Sequence, residues 1–182
     1  TDKVRIGIIL DASQGNDLKT IEKPIAALLE KHKQGVEFVL FGWSPKIAEQ
    51  YEVLKALRIT YEKPVPFYDY HFKLNSLAFD IGLLPFVDNS YNTSGKSFNR
   101  LLDFSVNMIP VVAPNMLPLN KIIKDGENGS IASSEEEWIN KTDQLITNVQ
   151  LRKDMGNNAF KTVWETFSYT PKAIERLRNI FI

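Results

Sequence analysis

The chain contains no cysteine, which excludes disulfide bridges and thiolate metal sites and fits a reducing, cytoplasmic location. It has two histidines, His32 and His71, and neither stands at metal-ligand spacing from a second histidine or a carboxylate. The aspartates are dispersed, whereas a hard cation needs clustered oxygen ligands. We therefore expect no metal and no cofactor. No apolar run approaches the roughly 20 residues that a transmembrane helix needs.

The chain also lacks any excess of charge, because 22 Lys and Arg balance 22 Asp and Glu. A neutral chain has no overall field to attract nucleic acid or an anionic membrane, so any anion site must be local. With 182 residues, 43% of them hydrophobic, we expect one domain over residues 1–182. The chain opens directly on a predicted strand, with no signal peptide ahead of it, which suggests a piece of something longer.

Strands and helices alternate along the chain, which predicts an α/β, Rossmann-like, doubly wound and mostly parallel sheet of six strands. The predicted strands are residues 4–10, 36–42, 79–86, 109–113, 130–132 and one of 59–61 or 65–67. The predicted helices are residues 18–29, 45–57, 68–77, a helix that begins just after Thr93 or Ser94 and extends to residue 107, and residues 116–123, 134–146, 151–167 and 171–181. Pro24 predicts a kink in the first helix, or a late start with this proline in its first turn. Residues 125–129 predict a tight turn.

Residues 92–104 carry the most information, because they form a polar loop that feeds a helix between two buried strands. In such a βαβ unit, ligands bind where the loop leaves the carboxyl end of the strand. Thr93 or Ser94 is the expected N-cap, which places Lys96 and Arg100 in the first turns. Cations there cost about 0.3–1 kcal/mol each unless an anion joins them, so the pattern favours a phosphate site. A solvated helix end is the alternative.

The same helix has two faces that the spacing separates. An apolar row, expected to lie on the sheet, consists of Phe98, Leu101, Leu102 and Ser105. A polar row consists of Lys96, Arg100, Asp103 and Asn107. The loop is not a Walker motif, because Asn89 stands where that motif needs its first glycine.

A series of short motifs runs through the chain in a fixed order. They are Asp-Ile-Gly-Leu-Leu-Pro (80–85), Asn92, Lys-Ser (96–97), Arg-Leu-Leu-Asp-Phe (100–104), Pro-Val-Val-Ala (110–113), Gly-Glu-Asn-Gly (126–129), Trp138 and Leu-Arg (151–152). In this order they resemble the carboxyl-terminal half of group 1 glycosyltransferases, which have two Rossmann-like domains facing a cleft, the GT-B arrangement. The resemblance extends from Val4 to about Ser168.

The resemblance implies a function. In that family the carboxyl-terminal domain binds the nucleotide-sugar donor, and the amino-terminal domain binds the acceptor. We therefore expect the donor-binding domain of a hexosyltransferase that transfers a sugar to an acceptor glycan or lipid-linked glycan, as in polysaccharide biosynthesis. The acceptor domain is missing from this chain, so we expect the chain alone to be inactive in transfer. Peripheral membrane association is expected, if at all, through the absent half.

The resemblance also assigns roles to residues. Retaining members carry two glutamates separated by seven residues, which align here with Gly95 and Asp103. Asp103 is expected to bind the ribose, whereas Gly95 has no side chain to contact the transferred sugar. The expected donor-binding residues are Asn92, Ser94, Gly95, Lys96, Ser97, Arg100 and Asp103, with backbone contacts from Ser13 and Gly15 and base stacking by Phe67 and Tyr68. No residue is assigned a catalytic role.

Other interpretations remain open. The chain is alternatively a non-catalytic nucleotide-binding or interaction module, or, more distantly, a nucleotide-sugar epimerase. Asp11 at the end of the first strand suggests a phospho-acceptor receiver domain, but the acidic partners and the position of the acceptor do not fit. Asp103 is alternatively a surface carboxylate paired with Arg100 or Asn99. We expect Trp138 and Trp164 to pack in the core.

Overall fold

The structure is a computed structural model that describes residues 3–11, 14–44, 57–87 and 97–168. Its centre is a six-stranded sheet in the order β3-β2-β1-β4-β5-β6. The strands are β1 Val4–Ile9, β2 Val36–Phe41, β3 Ile59–Glu62, β4 Ile81–Leu83, β5 Val111–Pro114 and β6 Ser130–Ala132. All neighbouring strands in this sheet are parallel, so the predicted doubly wound architecture is confirmed.

Helices connect these strands. They are α1 Gly15–Lys19, α2 Glu22–His32, α3 Tyr70–Ser76, α4 Asn99–Val106, α5 Leu119–Ile122, α6 Glu135–Thr147 and α7 Val149–Phe167, with a 3-10 turn at Phe67–Asp69. The predicted helix over residues 171–181 lies outside the described residues, as does the one over 45–57 except for its last residue. None of the described helices is both long and apolar enough to cross a membrane.

Prolines set two of the boundaries. Pro24 is the third residue of α2, where a missing N–H costs no helical hydrogen bond, so the predicted late start is confirmed. Of the two candidates for the third strand, Ile59–Glu62 forms β3 and the segment with Pro64 and Pro66 does not. A single proline is tolerated on an edge strand such as β3, but two prolines within three residues remove two N–H donors and fix two φ angles, which disfavours a regular strand there.

Both faces of the sheet are covered. On one face, α2 and α6 pack their apolar side chains, such as Ile25 and Leu145, against the strands. On the other, α3, α4 and α5 do the same, for example with Leu74 and Phe104. Burying each such side chain contributes about 1.5–3 kcal/mol, and burial on two faces explains why the strand sequences are continuously apolar.

One of the two tryptophan predictions is wrong. Trp138 is buried against the sheet, as expected, but Trp164 is 57% exposed. The helix α7 buries Met155, Ala159 and Val163, which follow one another at intervals of four residues. Trp164 comes one residue after Val163 and is therefore turned about 100° away from that buried row. It stacks on Phe160 instead, with ring centroids 5.9 Å apart.

The buried face of α4 differs from the predicted apolar row. Leu101 and Ser105 are buried as expected, but Phe104 is completely buried, and Phe98 and Leu102 are only half-buried. Phe104 is the largest side chain on this face, and the helix is oriented so that its ring lies on the sheet. The orientation leaves the polar row of α4 at the edge of the buried face.

Two facing glycines make that close contact possible. Gly7 of β1 pairs with Gly82 of β4 across the sheet. A Cβ at Gly82 would lie 2.8 Å from the Phe104 ring, and a Cβ at Gly7 would lie 2.4 Å from the Phe79 ring. The two rings are themselves neighbours, with centroids 6.2 Å apart. Without a side chain at Gly82, α4 packs closer to the sheet than any larger residue there would permit, and the bare backbone at Gly7 makes the same room for Phe79.

Gly82→Ala is therefore expected to destabilise the protein by about 1–3 kcal/mol, because its methyl group overlaps the Phe104 ring. Phe104→Leu should reduce that cost, since the smaller side chain leaves room for the methyl group. The two changes together should cost less than the sum of their separate effects in urea unfolding. As a control, Phe104→Leu combined with Asn157→Ala, a change on the exposed side of α7, should be additive. An additive Gly82–Phe104 pair would contradict this packing.

Candidate functional site

The predicted site lies at the carboxyl ends of β1 and β4. The order of the strands reverses between these two, and in open α/β sheets the crevice at such a point is where ligands bind. The loop after β1 leads into α1, and the segment after β4 leads towards α4. A hydrogen bond joins the two segments, because the Val87 N–H donates to the buried Asp17 carboxylate at 2.9 Å.

The loop after β1 is held by its own contacts and by Trp43. The Asp11 N–H donates to Gln14 Oε1 at 2.9 Å, and the Gln14 N–H donates to the Asp11 carbonyl at 3.1 Å. The buried Trp43 indole N–H donates to the same carbonyl at 2.8 Å. Gly15 is buried at the start of α1, and Ser13 lies outside the described residues. The predicted backbone contacts of Ser13 and Gly15 with a ligand stay predictions.

Arg100 reaches across the crevice to this loop. It is the second residue of α4, its side chain is only 19% exposed, and its guanidinium donates to Gln14 Oε1. The Asp11 carboxylate, which is largely exposed, lies 3.5 Å away. Burial lowers the pKa of Arg100, and the negative charges of Asp11, Asp17 and Asp103 partly offset this effect. The structure thus holds a partly desolvated cation between the β1 loop and α4.

Asp103 lies one turn farther along α4 and is half-buried. The Tyr70 hydroxyl donates to its Oδ2 atom at 2.8 Å. Burial raises the pKa of Asp103, whereas the Tyr70 hydrogen bond and the positive charges of His71 and Arg100 act in the opposite direction. Within the described part of the chain, no side chain or N–H donates to Oδ1. The alternative in which Asp103 is a fully exposed partner of Arg100 or Asn99 does not fit this geometry.

The predicted polar row is present where it is described. Arg100, Asp103 and Asn107 lie on one side of α4, and the Asn107 amide donates to the Asp103 carbonyl at 2.8 Å. Asn92, Ser94, Gly95 and Lys96 lie outside the described residues, so their predicted roles stay predictions. Ser97 is exposed and lies just ahead of the helix.

The predicted N-cap is wrong. The helix begins at Asn99, and Phe98 occupies the N-cap position, where no side chain accepts a hydrogen bond from the first turn. Thr93 or Ser94 therefore cannot cap this helix, because they are too far ahead of its first residue. Phenylalanine has no side-chain oxygen to offer the N–H groups of the first turn, and no side chain of the residues that the structure describes accepts from them.

The aromatic residues predicted to stack on a base lie farther along the same edge. Phe67 and Tyr68 belong to the 3-10 turn after β3, and they are 87% and 76% exposed. They are therefore not packed in the core. The structure does not bring them into contact with Arg100 or Asp103, although Tyr70 follows two residues after Tyr68.

A second depression, of about 450 Å³, opens at the carboxyl ends of β5 and β6 and was not predicted from the sequence. Its walls mix hydroxyl and amide groups with apolar side chains. Among the residues that line it are Thr20, Phe86, Asn115, Ser133, Glu135 and Trp138. Among the described residues, no group of three or more His, Asp or Glu side chains is arranged to hold a metal ion in either place.

Sequence reasoning missed three of the residues that form the site: Asp11 as a partner of Arg100, Gln14 and Tyr70. Gln14 lies 86 positions from Arg100, and Tyr70 lies 33 positions from Asp103. No local pattern connects residues so far apart. The only signal was indirect, since the loop after β1 and the loop after β4 end side by side in this topology.

Comparisons of the sequence with protein-family models and with curated proteins find no match. Comparison of the structure does find similar proteins. A mutant of TarM of S. aureus, solved with fondaparinux, α-GlcNAc-glycerol and UDP, matches 98% of this chain with a TM-score of 0.74 and 20% identity. HepE of Anabaena, solved with UDP and glucose, matches 98% with a TM-score of 0.70 and 15% identity.

A third match defines the part of those proteins that is similar. The carboxyl-terminal domain of LpcC, a group 1 glycosyltransferase of Francisella tularensis, matches 91% of this chain with a TM-score of 0.65 and 20% identity, and 87% of that domain is covered. The chain spans only 35% of TarM and 48% of HepE. Its fold is therefore that of the carboxyl-terminal, Rossmann-like domain of GT-B group 1 glycosyltransferases, as the sequence motifs predicted.

The burial of Asp103 leads to a prediction about stability. Because the folded-state pKa is raised, the folded protein binds this proton more tightly than the unfolded chain. The ionised carboxylate therefore costs stability at neutral pH, and the cost disappears as the pH falls through the folded-state pKa. Asp103→Asn, which still accepts the Tyr70 hydrogen bond, should shift the urea midpoint slightly upward at pH 7 and progressively less at lower pH.

The control for this prediction is Asp154→Asn on the exposed side of α7, which should change the urea midpoint little at pH 7 or at lower pH. A clear loss of stability in Asp103→Asn at pH 7 would show that the carboxylate is a structural ion pair instead.

Proposed function

We propose that this chain is the nucleotide-sugar-binding domain of a glycosyltransferase, and that the donor binds at the carboxyl ends of β1 and β4. The observation that carries the proposal is the position of a cation and a carboxylate on the same side of α4. Arg100, partly buried, lies at the first turn, and Asp103, half-buried, lies one turn farther along. Both charges are partly desolvated, and such groups are concentrated at functional sites.

We assign the diphosphate to the amino-terminal end of α4, where Arg100 lies. A cation at a helix N-terminus opposes the helix dipole, and its burial removes water from the guanidinium. An anion placed there gains from both the cation and the free N–H groups of the first turn, which Phe98 leaves uncapped. Lys96, four residues ahead of Arg100, would add a second cation.

The ribose is assigned to Asp103. A carboxylate accepts hydrogen bonds from sugar hydroxyls, and one turn of helix, about 5.4 Å, separates Asp103 from the first-turn amides. That spacing suits a pentose attached to a diphosphate. The base would then extend towards β3, where the exposed rings of Phe67 and Tyr68 offer a stacking surface.

The chemistry follows from the departure of the nucleoside diphosphate. Negative charge develops on the leaving phosphate as the glycosidic bond breaks, and fixed donors and cations at that position stabilise it. Arg100, the N–H groups at the start of α4 and Lys96 would supply them. The UDP in the solved TarM and HepE structures supports a nucleoside diphosphate as the leaving group.

The remaining parts of the reaction belong to the sections of those proteins that this chain does not cover. We infer that the acceptor, a glycan or a lipid-linked glycan, binds to a partner domain that faces the carboxyl edge of this sheet. A cytoplasmic role in polysaccharide biosynthesis, with a hexose as the transferred sugar, is the form of this activity that we favour.

A second candidate is a nucleotide-binding module that does not catalyse transfer. Gly95 favours it, because the resemblance places there a glutamate that contacts the transferred sugar, and glycine has no group to replace it. Both candidates require the same nucleotide site. Transfer or donor hydrolysis, measured after this chain is joined to its acceptor domain, would separate them.

Binding of UDP, GDP, ADP and CDP, each compared with its nucleoside by calorimetry and thermal shift, tests the nucleotide site. At least one diphosphate should bind more tightly than its nucleoside. Lys96→Ala and Arg100→Gln should each weaken the affinity for the diphosphate by about tenfold to a hundredfold, because each removes a charge-assisted hydrogen bond. The affinity for the nucleoside should stay unchanged.

Lys153→Ala on the exposed side of α7 is the matched control and should leave the affinity unchanged. The proposal is wrong if none of the four diphosphates binds, or if both site variants bind diphosphate as the unmodified chain does.

A further inference from the structure

We propose that Tyr70 is a positioning residue for Asp103, which it fixes so that the Oδ1 atom faces the sugar hydroxyls and discriminates ribose from deoxyribose. This inference rests on the proposed nucleotide site. It adds a specificity-determining residue from α3 that neither the sequence motifs nor the spacing of residues on α4 indicated.

The first step concerns the Tyr70 ring, whose position does not depend on Asp103. The ring stacks on Phe41 at the end of β2, with centroids 5.6 Å apart and planes 17° apart. The His71 ring packs against it nearly edge-on, with centroids 5.2 Å apart. A ring held from two sides presents its hydroxyl at a fixed point, so the hydrogen-bond donor is in place before any ligand arrives.

The second step concerns how the carboxylate is held. The Tyr70 hydroxyl donates to Asp103 Oδ2 at 2.8 Å, and an aspartate held at one oxygen loses the freedom to rotate about its side-chain bonds. Burial, the Asp103 charge and this hydrogen bond all raise the pKa of Tyr70, so the hydroxyl stays protonated and acts as a donor. Oδ2 is thus already occupied, and Oδ1 becomes the main acceptor for a ligand.

The third step concerns the helix that carries Asp103. The Asn107 amide donates to the Asp103 carbonyl, and the Asn75 amide of α3 reaches Asn107 Oδ1 at 3.5 Å. Thus α3 contacts α4 at two points, through Tyr70 and through Asn75. Because α3 follows directly after the 3-10 turn with Phe67 and Tyr68, it connects the proposed base platform to the proposed ribose carboxylate.

A single acceptor atom at a fixed position binds the two ribose hydroxyls with unequal strength. A site built to accept a hydrogen bond from one hydroxyl rejects an analogue that lacks it, because its buried polar group is left unpaired. With Oδ2 occupied by Tyr70, one of the two ribose hydroxyls should contribute most of the recognition. Without Tyr70, the carboxylate is free to rotate and this discrimination should decrease.

The experiment compares UDP, GDP, ADP and CDP with their 2′-deoxy and 3′-deoxy forms in the unmodified chain and in Tyr70→Phe. For the diphosphate that binds, one deoxy form should bind to the unmodified chain about tenfold more weakly than the ribonucleotide, or more weakly still, as expected when a charged hydrogen bond is lost. In Tyr70→Phe the ribo-to-deoxy affinity ratio, which is the affinity for the ribonucleotide divided by that for this deoxy form, should fall severalfold. The matched control is Tyr61→Phe, which removes a hydroxyl from β3 next to the core on the opposite face of the sheet.

A pH profile supplies a readout that a purely structural role would not change. Among the described residues, the ionisable groups that act on Asp103 are Tyr70 and His71 of α3 and Arg100 of α4. The Tyr70 hydrogen bond favours the ionised carboxylate, so Tyr70→Phe should raise the Asp103 pKa. As the pH is lowered and Asp103 becomes protonated, the affinity for the ribonucleotide should therefore begin to fall at a higher pH in Tyr70→Phe than in the unmodified chain or in Tyr61→Phe.

The outcomes separate this inference from the proposed function. If no nucleoside diphosphate binds, both are wrong. If a diphosphate binds and depends on Lys96 and Arg100, but Tyr70→Phe keeps the same ribo-to-deoxy affinity ratio and the same pH profile, the nucleotide site stands and the role of Tyr70 is wrong. A lowered ratio together with the shifted profile supports the role.

Discussion

Close contact between α4 and the sheet is the constraint on which the site depends. It exists because Gly82 of β4 leaves space for the Phe104 ring, while its partner Gly7 on β1 leaves space for the neighbouring Phe79 ring. The two strands meet where the strand order reverses, so the helix is held directly beside the crevice that this topology creates. The packing of one aromatic ring on bare backbone thus places Arg100 and Asp103 at the edge where we propose that the nucleotide binds.

The charges at this edge are not arranged for maximal stability. Arg100 is largely buried, and its contacts with Gln14 and Asp11 only partly replace the water that it loses. Asp103 is also desolvated, and its main partner among the described residues is a neutral hydroxyl, that of Tyr70. Groups held in this state gain more from a ligand of complementary charge than exposed groups would, at some expense of stability.

The agreement with solved glycosyltransferase domains is an agreement of fold, with identities of 20% or less. One fold supports many functions, so the functional proposal depends on the site itself. The structure adds a connection that the motifs do not contain. Through Tyr70, the segment with the exposed rings of Phe67 and Tyr68 is joined to Asp103, so the proposed base and ribose positions are held by one continuous set of contacts.

The sequence alone determined the order of strands and helices and the parallel sheet, because hydrophobic runs, prolines and turn residues act over a few positions. The fold family followed from the resemblance of its ordered motifs to a known family. It also identified the polar row of α4, which follows from helical spacing. The tertiary structure decided the orientation of that helix, where Phe104 and not Phe98 or Leu102 lies on the sheet, and the outward position of Trp164. It also decided which distant groups contact Arg100 and Asp103, because Gln14 and Tyr70 reach them only after the strands have paired.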